Sequence, residues 1–396
     1  MRSWGAGQTR NRSCVLPSAE TLHASPYTPW RDLVYEPILR LPQARRLPYI
    51  GSVDWVGLRD ELAPMLGFVL VYAVSAQALA IVAGMHFSPA TVWLSVWVDL
   101  FPWLIIPAFL AVLIHARLSV RDNNGQRIHG WEGWIAGYRA ARLGPLSSTT
   151  LIRTAAVVAL IPIFHRAFVI YKSAIPLIRP FQDDSLWTEA DRWLHFGRLP
   201  YQLLPSWLTT PAALHWLEVL YLSWHAVVGC VILWITLQSD SALRRRFYFV
   251  FLATWVLLGN VAALAASSGG PCYYFALVGG GPDPYAALLR RLALDGTSIP
   301  HTLATQWQLW RLYQLSSVGV GAGISAMPSM HVAMPVLFAL AAYRKDAALS
   351  ILFALFGVAI FIGSIALGWH YGVDGYVSIV SVCLLWWASG RLAARQ

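Results

Sequence analysis

The chain has 396 residues, of which only 12% are charged and 57% are hydrophobic, which excludes a protein built from ordinary soluble domains alone. Twenty tryptophans and a mean hydropathy of +0.54 are typical of a protein whose main solvent is the bilayer, with aromatic side chains at the lipid interfaces. The net charge of +10 does not indicate a nucleic-acid partner, because the arginines lie in short clusters between apolar segments.

Three parts follow one another along the chain. Residues 1–60 are polar, proline-containing and arginine-rich, and they lack the apolar core of a secretory signal, so we predict a cytoplasmic tail. Residues 61–150 contain two predicted membrane spans and a basic cytoplasmic loop. Residues 151–396 form a longer membrane domain.

Membrane helices are predicted from mostly apolar segments of about 20 residues. The candidate spans lie at residues 63–84, 92–115, 151–178, 212–237, 247–267, 329–343, 348–369 and 372–390. The sixth is short, because it begins at Ser329 and soon meets Arg344, so we expect it to start below the membrane surface, at the floor of a cavity. The predicted fold class is all-α, a polytopic transmembrane helix bundle of about eight spans with a six-helix core.

The basic residues give the orientation, since lysine and arginine prefer short cytoplasmic loops. If the N-terminus is cytoplasmic, all the basic clusters that follow the second, fourth, sixth and eighth spans fall on one side. They lie between residues 117 and 142, at 244–246, at 344–345 and at 391–395. The other side carries the long connections 179–211 and 268–328, and in the latter we predict short interfacial helices at 284–294 and 305–315.

A first candidate site residue, His331, ends the glycine-rich segment 318–331, which closes with Pro-Ser-Met-His. Proline and serine are favoured where helices begin, so this pattern places His331 at a helix N-terminus. Free amides and the helix dipole attract anions there, which suits a phosphate group. The alternative is that the glycines only allow close helix packing and that His331 is an interfacial side chain.

A second histidine, His370, stands four residues before Asp374 at the junction of the seventh and eighth spans. On a helical turn the two side chains share a face, and the carboxylate can accept the imidazole N–H. That contact fixes the tautomer and leaves the other nitrogen free to attack, as in a catalytic triad without serine. The alternative is a purely structural hydrogen bond at a helix junction.

Two basic residues reach the same predicted membrane side as the histidines. Lys172 lies near the end of the third span, and Arg179 follows seven residues later. Long basic side chains often extend to the membrane interface even where no substrate binds. A role for these two residues therefore depends on their lying beside the two histidines. Deeper in the membrane, we predict that Arg166 and Glu218 form an ion pair that braces the third and fourth spans.

Taken together, these residues resemble the three signature motifs of the type-2 phosphatidic acid phosphatase superfamily. The matching residues are Lys172, Arg179 and Pro180 in the first motif, Pro328 to His331 in the second, and His370 with Asp374 in the third. The motifs occur in the family's order and together cover residues 172–374. The resemblance implies that residues 151–396 are a catalytic membrane domain.

One position departs from the family pattern. Family phosphatases carry Ser-Arg before the third-motif histidine, where this chain has Gly363 and Ser364. The absence of this arginine is typical of the branch that includes inositol phosphorylceramide synthase, the fungal aureobasidin target. That branch is similar to sphingomyelin synthases. The segment at residues 268–274 resembles the proline-aromatic segment of that branch.

The resemblance implies a role for each site residue. His370 is the expected nucleophile that forms a phosphohistidine, Asp374 orients it, and His331 protonates the leaving oxygen and then acts as base on the acceptor. The other assigned residues are Lys172, Arg179 and Ser329 for binding phosphate, and Pro271, Tyr273 and Tyr274 for a substrate loop.

Several readings stay open at this point. Transfer to an alcohol and hydrolysis share a first half-reaction, so a lipid phosphotransferase and a phosphatase of phosphatidic acid or polyprenyl diphosphate both fit, with a non-catalytic lipid-binding or transport protein as a third reading. Two histidines and an aspartate also suit zinc, but Lys172 and a helix N-terminus disfavour a cation, so no metal or cofactor is expected. The expected partner is a membrane lipid, and the expected location is a bacterial inner membrane with a periplasmic site.

Overall fold

The computed structural model describes residues 53–85, 135, 147–294, 296–318 and 323–393. The predicted span at 92–115 and residues 1–52 of the predicted tail lie outside the described residues. Within the described ranges the regular elements are helices and no strand occurs, which confirms the all-α prediction.

The helices are α1 (Trp55–Val82), α2 (Ser148–Ile178), α3 (Asp184–Leu194), α4 (Pro211–Leu237), α5 (Ser241–Val256), α6 (Tyr274–Val278), α7 (Ala286–Leu294), α8 (Pro300–Gln314), α9 (Met330–Ala342), α10 (Ala347–Ala366) and α11 (Gly372–Ala393). Helix α5 continues through a π-helical turn at Leu257–Ala262 and a last turn at Ala263–Ala265. Short 3₁₀ turns lie at Pro200–Leu203, Ser206–Thr209 and Pro271–Tyr273.

Six of these helices are long and apolar enough to cross a membrane, namely α1, α2, α4, the continued α5, α10 and α11. Helix α9 has 13 residues, as expected for the short sixth segment. Every predicted span that falls within the described residues is therefore a helix. Helix α1 starts at Trp55, inside the segment predicted as tail.

Polar residues mark where the long helices begin. In five of them the side chain of the residue before the helix accepts a hydrogen bond from a backbone N–H in the first turn, and these residues are Asp54, Ser147, Thr210, Asp240 and Asp346. Each bond satisfies an N–H group that has no partner inside the helix. The short polar residues between apolar segments thus set the start of each span.

Helix α9 lies at the centre of the bundle, against α4, α5, α10 and α11. Its Leu337 and Phe338 are completely buried. The start of α9 is held closely, because a Cβ atom at Gly259 of the π-helical turn would lie 2.5 Å from the Phe168 ring and 3.3 Å from the Met330 sulfur. Only glycine permits this approach of α5 to α2 and α9.

The two ends of the bundle differ in charge. At one end Glu61 pairs with Arg244 at 2.7 Å and with Arg153 at 3.3 Å, and all three side chains are buried. Further contacts at this end join Lys345 to Asp240 at 2.9 Å and Arg246 to Ser389 at 3.1 Å. The basic residues at 244–246 and 344–345, predicted to share one membrane side, therefore meet at one end of the helices, and the predicted cluster between residues 117 and 142 lies outside the described residues, except for residue 135.

The opposite end is covered by short helices. The predicted helices at 284–294 and 305–315 are confirmed as α7 and α8, although α8 begins earlier, at Pro300. The Glu218 carboxylate lies beside the start of α8 and accepts a hydrogen bond from the Thr302 N–H at 2.6 Å, while its ion pair with Arg166 stays a prediction. That bond attaches α8 to α4 at the end of the bundle where the two histidines lie.

Candidate functional site

A cavity of about 300 Å³ lies at this covered end of the bundle. It is bounded by residues from α2, α4, α5, α8 and α9 and by the loops that precede α9 and α11. Its polar lining residues are His165, Lys172, Tyr221, His225, Tyr273, His301, Thr302, Thr305, Gln308, Ser325, His331 and His370. Three of the predicted site residues, Lys172, His331 and His370, therefore share one cavity, and the predicted loop residue Tyr273 lines it too.

His370 is held through one ring nitrogen. Its Nδ1 lies 2.8 Å from the backbone oxygen of Ala326 and 3.1 Å from Oδ2 of Asp374. Both neighbours are acceptors, so Nδ1 carries the proton and Nε2 carries the lone pair. The ring is 8% exposed and lines the cavity, so the unprotonated nitrogen is the one available to a bound molecule.

Asp374 is completely buried in the first turn of α11. Its Oδ2 accepts the backbone N–H of Tyr371 at 3.0 Å in addition to the imidazole of His370. The carboxylate thus caps its own helix and orients the histidine with the same oxygen. This is the expected hydrogen bond, although His370 lies two residues before α11 begins and not within it.

His331 is the second residue of α9, at the N-terminus predicted from the sequence. Its ring stacks on Tyr221, with centroids 4.4 Å apart and planes 17° apart, and the Trp224 ring lies at 4.5 Å. The Trp224 indole donates to the His331 backbone oxygen at 3.0 Å. The His331 and His370 centroids are 6.0 Å apart, and both residues line the cavity.

Lys172 is the single charged side chain among the described cavity-lining residues. Gly323 makes its position possible, because a Cβ there would lie within 3.0 Å of the Lys172 backbone and side chain, and its φ of +97° favours glycine. The glycine-rich segment before α9 therefore packs directly against the lysine.

The remaining predicted site residues lie outside the cavity. Arg179 pairs with Asp183 at 2.9 Å and donates to the backbone oxygens of Leu264, at 3.2 Å, and Ala265. Ser329 is completely buried at the start of α9, and its hydroxyl makes no capping bond. Pro271 begins the turn that carries Tyr273, Tyr274 begins α6, and neither of these two residues lines the cavity.

Helix α3 holds the loops of the site through two buried aspartates. Asp184 accepts the backbone N–H groups of Gly269 and Gly270, at 3.0 and 2.8 Å, and the Tyr371 hydroxyl at 2.6 Å. Burial raises the pKa of Asp184 against the lowering effect of these donors. The single carboxylate therefore joins the loop after α5 to the loop that carries His370.

Asp191 holds the start of α11 in the same way. Its two oxygens accept the backbone N–H groups of Gly372 and Val373, both at 2.8 Å. Burial raises the pKa of Asp191 to about 6, opposed by these two donors. The aspartate is an external cap for the helix that carries Asp374.

Sequence reasoning missed both aspartates. Their signal is the spacing of Asp184, Thr188 and Asp191, which lie on one face of α3 and are all buried. The opposite face exposes Leu186 and Trp193, at 57% and 82%. The helix therefore turns its polar face inward and its apolar face outward, as in a helix that lies at a membrane interface.

A metal centre is not formed in this part of the chain. Among the described residues, no group of three His, Cys, Asp or Glu side chains is arranged to hold a metal ion. Oδ2 of Asp374 contacts the protonated nitrogen of His370. This contact orients the ring, and the two atoms do not bind a metal ion together.

The apolar spans and this enclosed end define an all-α integral membrane protein with two histidines at one cavity and a buried aspartate that holds one of them. Residues 187–388, just over half of the chain, match the PAP2 superfamily. The protein belongs to this superfamily, whose members are generally phosphatases or phosphotransferases of phosphoesters. A search of curated proteins found no match, and a search of solved structures found none either.

Proposed function

We propose that this protein is a membrane lipid phosphotransferase that works through a phosphohistidine at His370. The observation that carries the proposal is the arrangement of the two imidazoles, 6.0 Å apart at one cavity, with Nδ1 of His370 occupied by Ala326 and Asp374. A nucleophile needs a free lone pair and an orienting partner, and His370 has both.

The first half-reaction transfers phosphorus to the enzyme. Nε2 of His370 attacks the phosphorus of the lipid donor, a P–N bond forms, and the bond from phosphorus to the leaving oxygen breaks. His331, as an imidazolium, gives a proton to that oxygen and becomes neutral. Lys172 balances the negative charge of the phosphate oxygens in a site largely removed from water.

The second half-reaction returns the enzyme to its starting state. Neutral His331 takes the proton of an acceptor hydroxyl, the acceptor oxygen bonds to phosphorus, and the P–N bond breaks. His331 is then protonated for the next cycle. One imidazole can serve both steps, because the nitrogen that gives a proton in the first takes a proton up in the second.

An alcohol acceptor is favoured over water by the wall that α8 contributes to the cavity. His301, Thr305 and Gln308 are spaced at intervals of four and three residues, so they share one face of α8, and all three line the cavity. None of the described lining residues is acidic. A cavity wall of uncharged hydrogen-bonding side chains beside the phosphate site suits lipid substrates that carry hydroxyl groups. Such substrates take part in an exchange like that of inositol phosphorylceramide synthase.

The test uses the purified full-length protein in lipid nanodiscs, with phosphatidylinositol labelled at phosphorus as donor. One reaction contains ceramide as acceptor and a second contains none, and a third reaction offers phosphatidic acid alone. We expect a labelled product that requires the acceptor and is absent with His370→Ala. Release of free phosphate from phosphatidic acid, with no acceptor-dependent product, would establish the hydrolase instead.

A non-catalytic lipid-binding role has its own signature in the same experiment. In that case the donor would bind to the protein and return unchanged in all three reactions. His370→Ala would then bind as much lipid as the natural chain, and the proposal would be wrong.

A further inference from the structure

Two histidines on the membrane-spanning helices line the cavity but have no part in the proposed reaction. They are His165 of α2 and His225 of α4. Helix α2 continues for 13 residues after His165, and 14 residues of α4 precede His225. At a rise of about 1.5 Å per residue, both lie about 20 Å from the covered end of their helix. Ionisable side chains at such depth are costly, so they indicate a function.

The cavity extends from the lysine into the bundle along one face of α2. The lining residues that α2 contributes are His165, Phe168, Val169 and Lys172, which lie at helical intervals of three and four residues. Lys172 and His165 are two helical turns apart, or about 10 Å along the helix axis. The phosphate site therefore continues into a deeper part of the cavity, toward the middle of the membrane.

This deeper part combines apolar side chains with the two imidazoles. The Trp255 ring lies 5.6 Å from His165, and the His225 ring lies 6.1 Å from His331. His165 is half-buried and His225 is exposed, so neither imidazole is sealed in the protein. Leu222 also lines the cavity and is 43% exposed. Within the described part of the chain, the cavity thus reaches the outer surface of α4.

The hydrogen bonding of His225 determines what it offers to a bound molecule. One ring N–H of His225 donates to the backbone oxygen of Leu222, three residues earlier in α4. A second positive charge beside Lys172 is costly inside a membrane, so the ring is neutral and has one donor and one acceptor nitrogen. Because the donor is used within the helix, the other nitrogen accepts. Its partner must be a hydroxyl or an N–H group.

We propose that His225 and His165 form a subsite for the backbone of the acceptor lipid, and that they favour a backbone with an amide or hydroxyl group besides the reacting hydroxyl. The inference rests on the proposed function, because it places the acceptor beside the same phosphate site. An amide N–H or a hydroxyl can donate to the free nitrogen of His225, whereas ester oxygens only accept hydrogen bonds. A backbone of esters alone would leave that nitrogen without a partner, which disfavours its binding.

The test compares His225→Phe and His165→Phe with His215→Phe, a control on the same helix as His225. His215 also contacts a backbone oxygen, that of Ser298 at 3.1 Å, but it does not line the cavity. Each full-length variant receives two acceptors of equal chain length, ceramide and diacylglycerol, with phosphatidylinositol labelled at phosphorus as donor. The measurements are kcat/KM for each acceptor and, without donor, the rise in Tm that each acceptor causes, which gives its affinity.

We expect His225→Phe to lower kcat/KM and affinity for ceramide about three- to tenfold, the usual range for one lost hydrogen bond between neutral groups. Both values for diacylglycerol should stay unchanged, because its backbone makes no such bond. His165→Phe should act in the same direction. His215→Phe should keep the ratio of the two acceptors at its natural value, so the preference for ceramide should fall in the two cavity variants alone.

The outcomes separate this inference from the function on which it rests. An equal loss for both acceptors in His225→Phe, or no loss for either, would overturn the inference, because the histidine would not distinguish the two backbones. A natural chain that uses both acceptors equally well would overturn it too. If the natural chain transfers phosphorus to neither acceptor, the proposed function fails and the affinities decide. The subsite then stands only if His225→Phe loses affinity for ceramide and keeps it for diacylglycerol.

Discussion

Lys172 and Arg179 were assigned the same task by their motif, but their surroundings are different. Lys172 lines the cavity beside the histidines. Arg179 is held by Asp183 and by two backbone oxygens at the end of α5. A guanidinium with these partners ties the end of α2 to the end of α5.

Separate substitutions of the two basic residues test this difference. We expect Lys172→Ala to lower kcat/KM about ten- to a hundredfold with little change in Tm, because a charged partner of the phosphate is lost. Arg179→Ala should lower Tm, and it should lower activity less than Lys172→Ala does. The fall in Tm should be small, because the ion pair of Arg179 is partly exposed and contributes little more than about 1 kcal/mol to the free energy of unfolding. Steady-state kinetics and thermal unfolding are the measurements. A larger loss of kcat/KM in Arg179→Ala than in Lys172→Ala would return Arg179 to the phosphate site.

The sequence predicted single residues well where chemistry is local. Pro-Ser before His331 predicts a helix start, and the four-residue spacing of His370 and Asp374 predicts their hydrogen bond, since both signals depend only on neighbours in the chain. Asp184 and Tyr371 hydrogen-bond across 187 positions, so no local pattern indicates their contact. The stacking of Tyr221 on His331 was missed for the same reason, because His331 lies on another helix.

At the scale of elements, α3 is the support for the catalytic loops. Its two buried carboxylates bind four backbone N–H groups, those of Gly269 and Gly270 in the loop after α5 and those of Gly372 and Val373 at the start of α11. The apolar residues of α3 face outward, which is the reverse of a helix that packs on a soluble core. From sequence alone the amphipathic pattern was visible, but which face turned inward was not.

The raised pKa of Asp191 gives α3 a measurable dependence on pH. A carboxyl whose folded pKa of about 6 exceeds its usual value contributes stability at low pH, and that contribution is lost as the pH rises through 6. Asp191→Asn cannot ionise, so it lacks this dependence. We therefore expect the Tm of the natural chain minus that of Asp191→Asn to decrease between pH 5 and pH 7.5.

Thermal unfolding at a series of pH values, in one detergent and at one ionic strength, provides this difference. Glu189→Gln is the matched control for removing a carboxylate from α3, since its side chain lies on the exposed side of the helix and is 64% exposed. A difference for Asp191→Asn that is constant or grows over this range would show that burial does not raise the pKa.

At the scale of the whole molecule, hydropathy predicted the bundle and charge predicted its polarity. Apolar segments gave every span within the described residues, because in a bilayer the backbone must satisfy its own hydrogen bonds and helices do so locally. Buried ion pairs at one end and the cavity at the other agree with the separation of basic loops from site loops. The way in which the short helices cover the cavity was beyond prediction, since it depends on contacts such as Glu218 with Thr302.

This polarity predicts a membrane orientation with the cavity on the non-cytoplasmic side. The experiment replaces the four cysteines and adds one cysteine, either by Phe196→Cys near the cavity end, where the side chain is 99% exposed, or by Arg344→Cys at the basic end. In intact cells an impermeant maleimide should label Phe196→Cys, and it should label Arg344→Cys only after permeabilisation. The opposite labelling pattern would invert the orientation and place the site in the cytoplasm.

In the proposed reaction, phosphorus passes through a covalent bond to Nε2 of His370. Mass spectrometry of the full-length protein, quenched at alkaline pH within a single turnover with a donor labelled at phosphorus, detects such a bond. The phosphohistidine mechanism predicts an acid-labile phosphorus adduct on His370, no adduct in His370→Ala, and a fall in turnover of several orders of magnitude in that variant. Turnover by His370→Ala near the natural rate, or an adduct found on His331 instead, would contradict it.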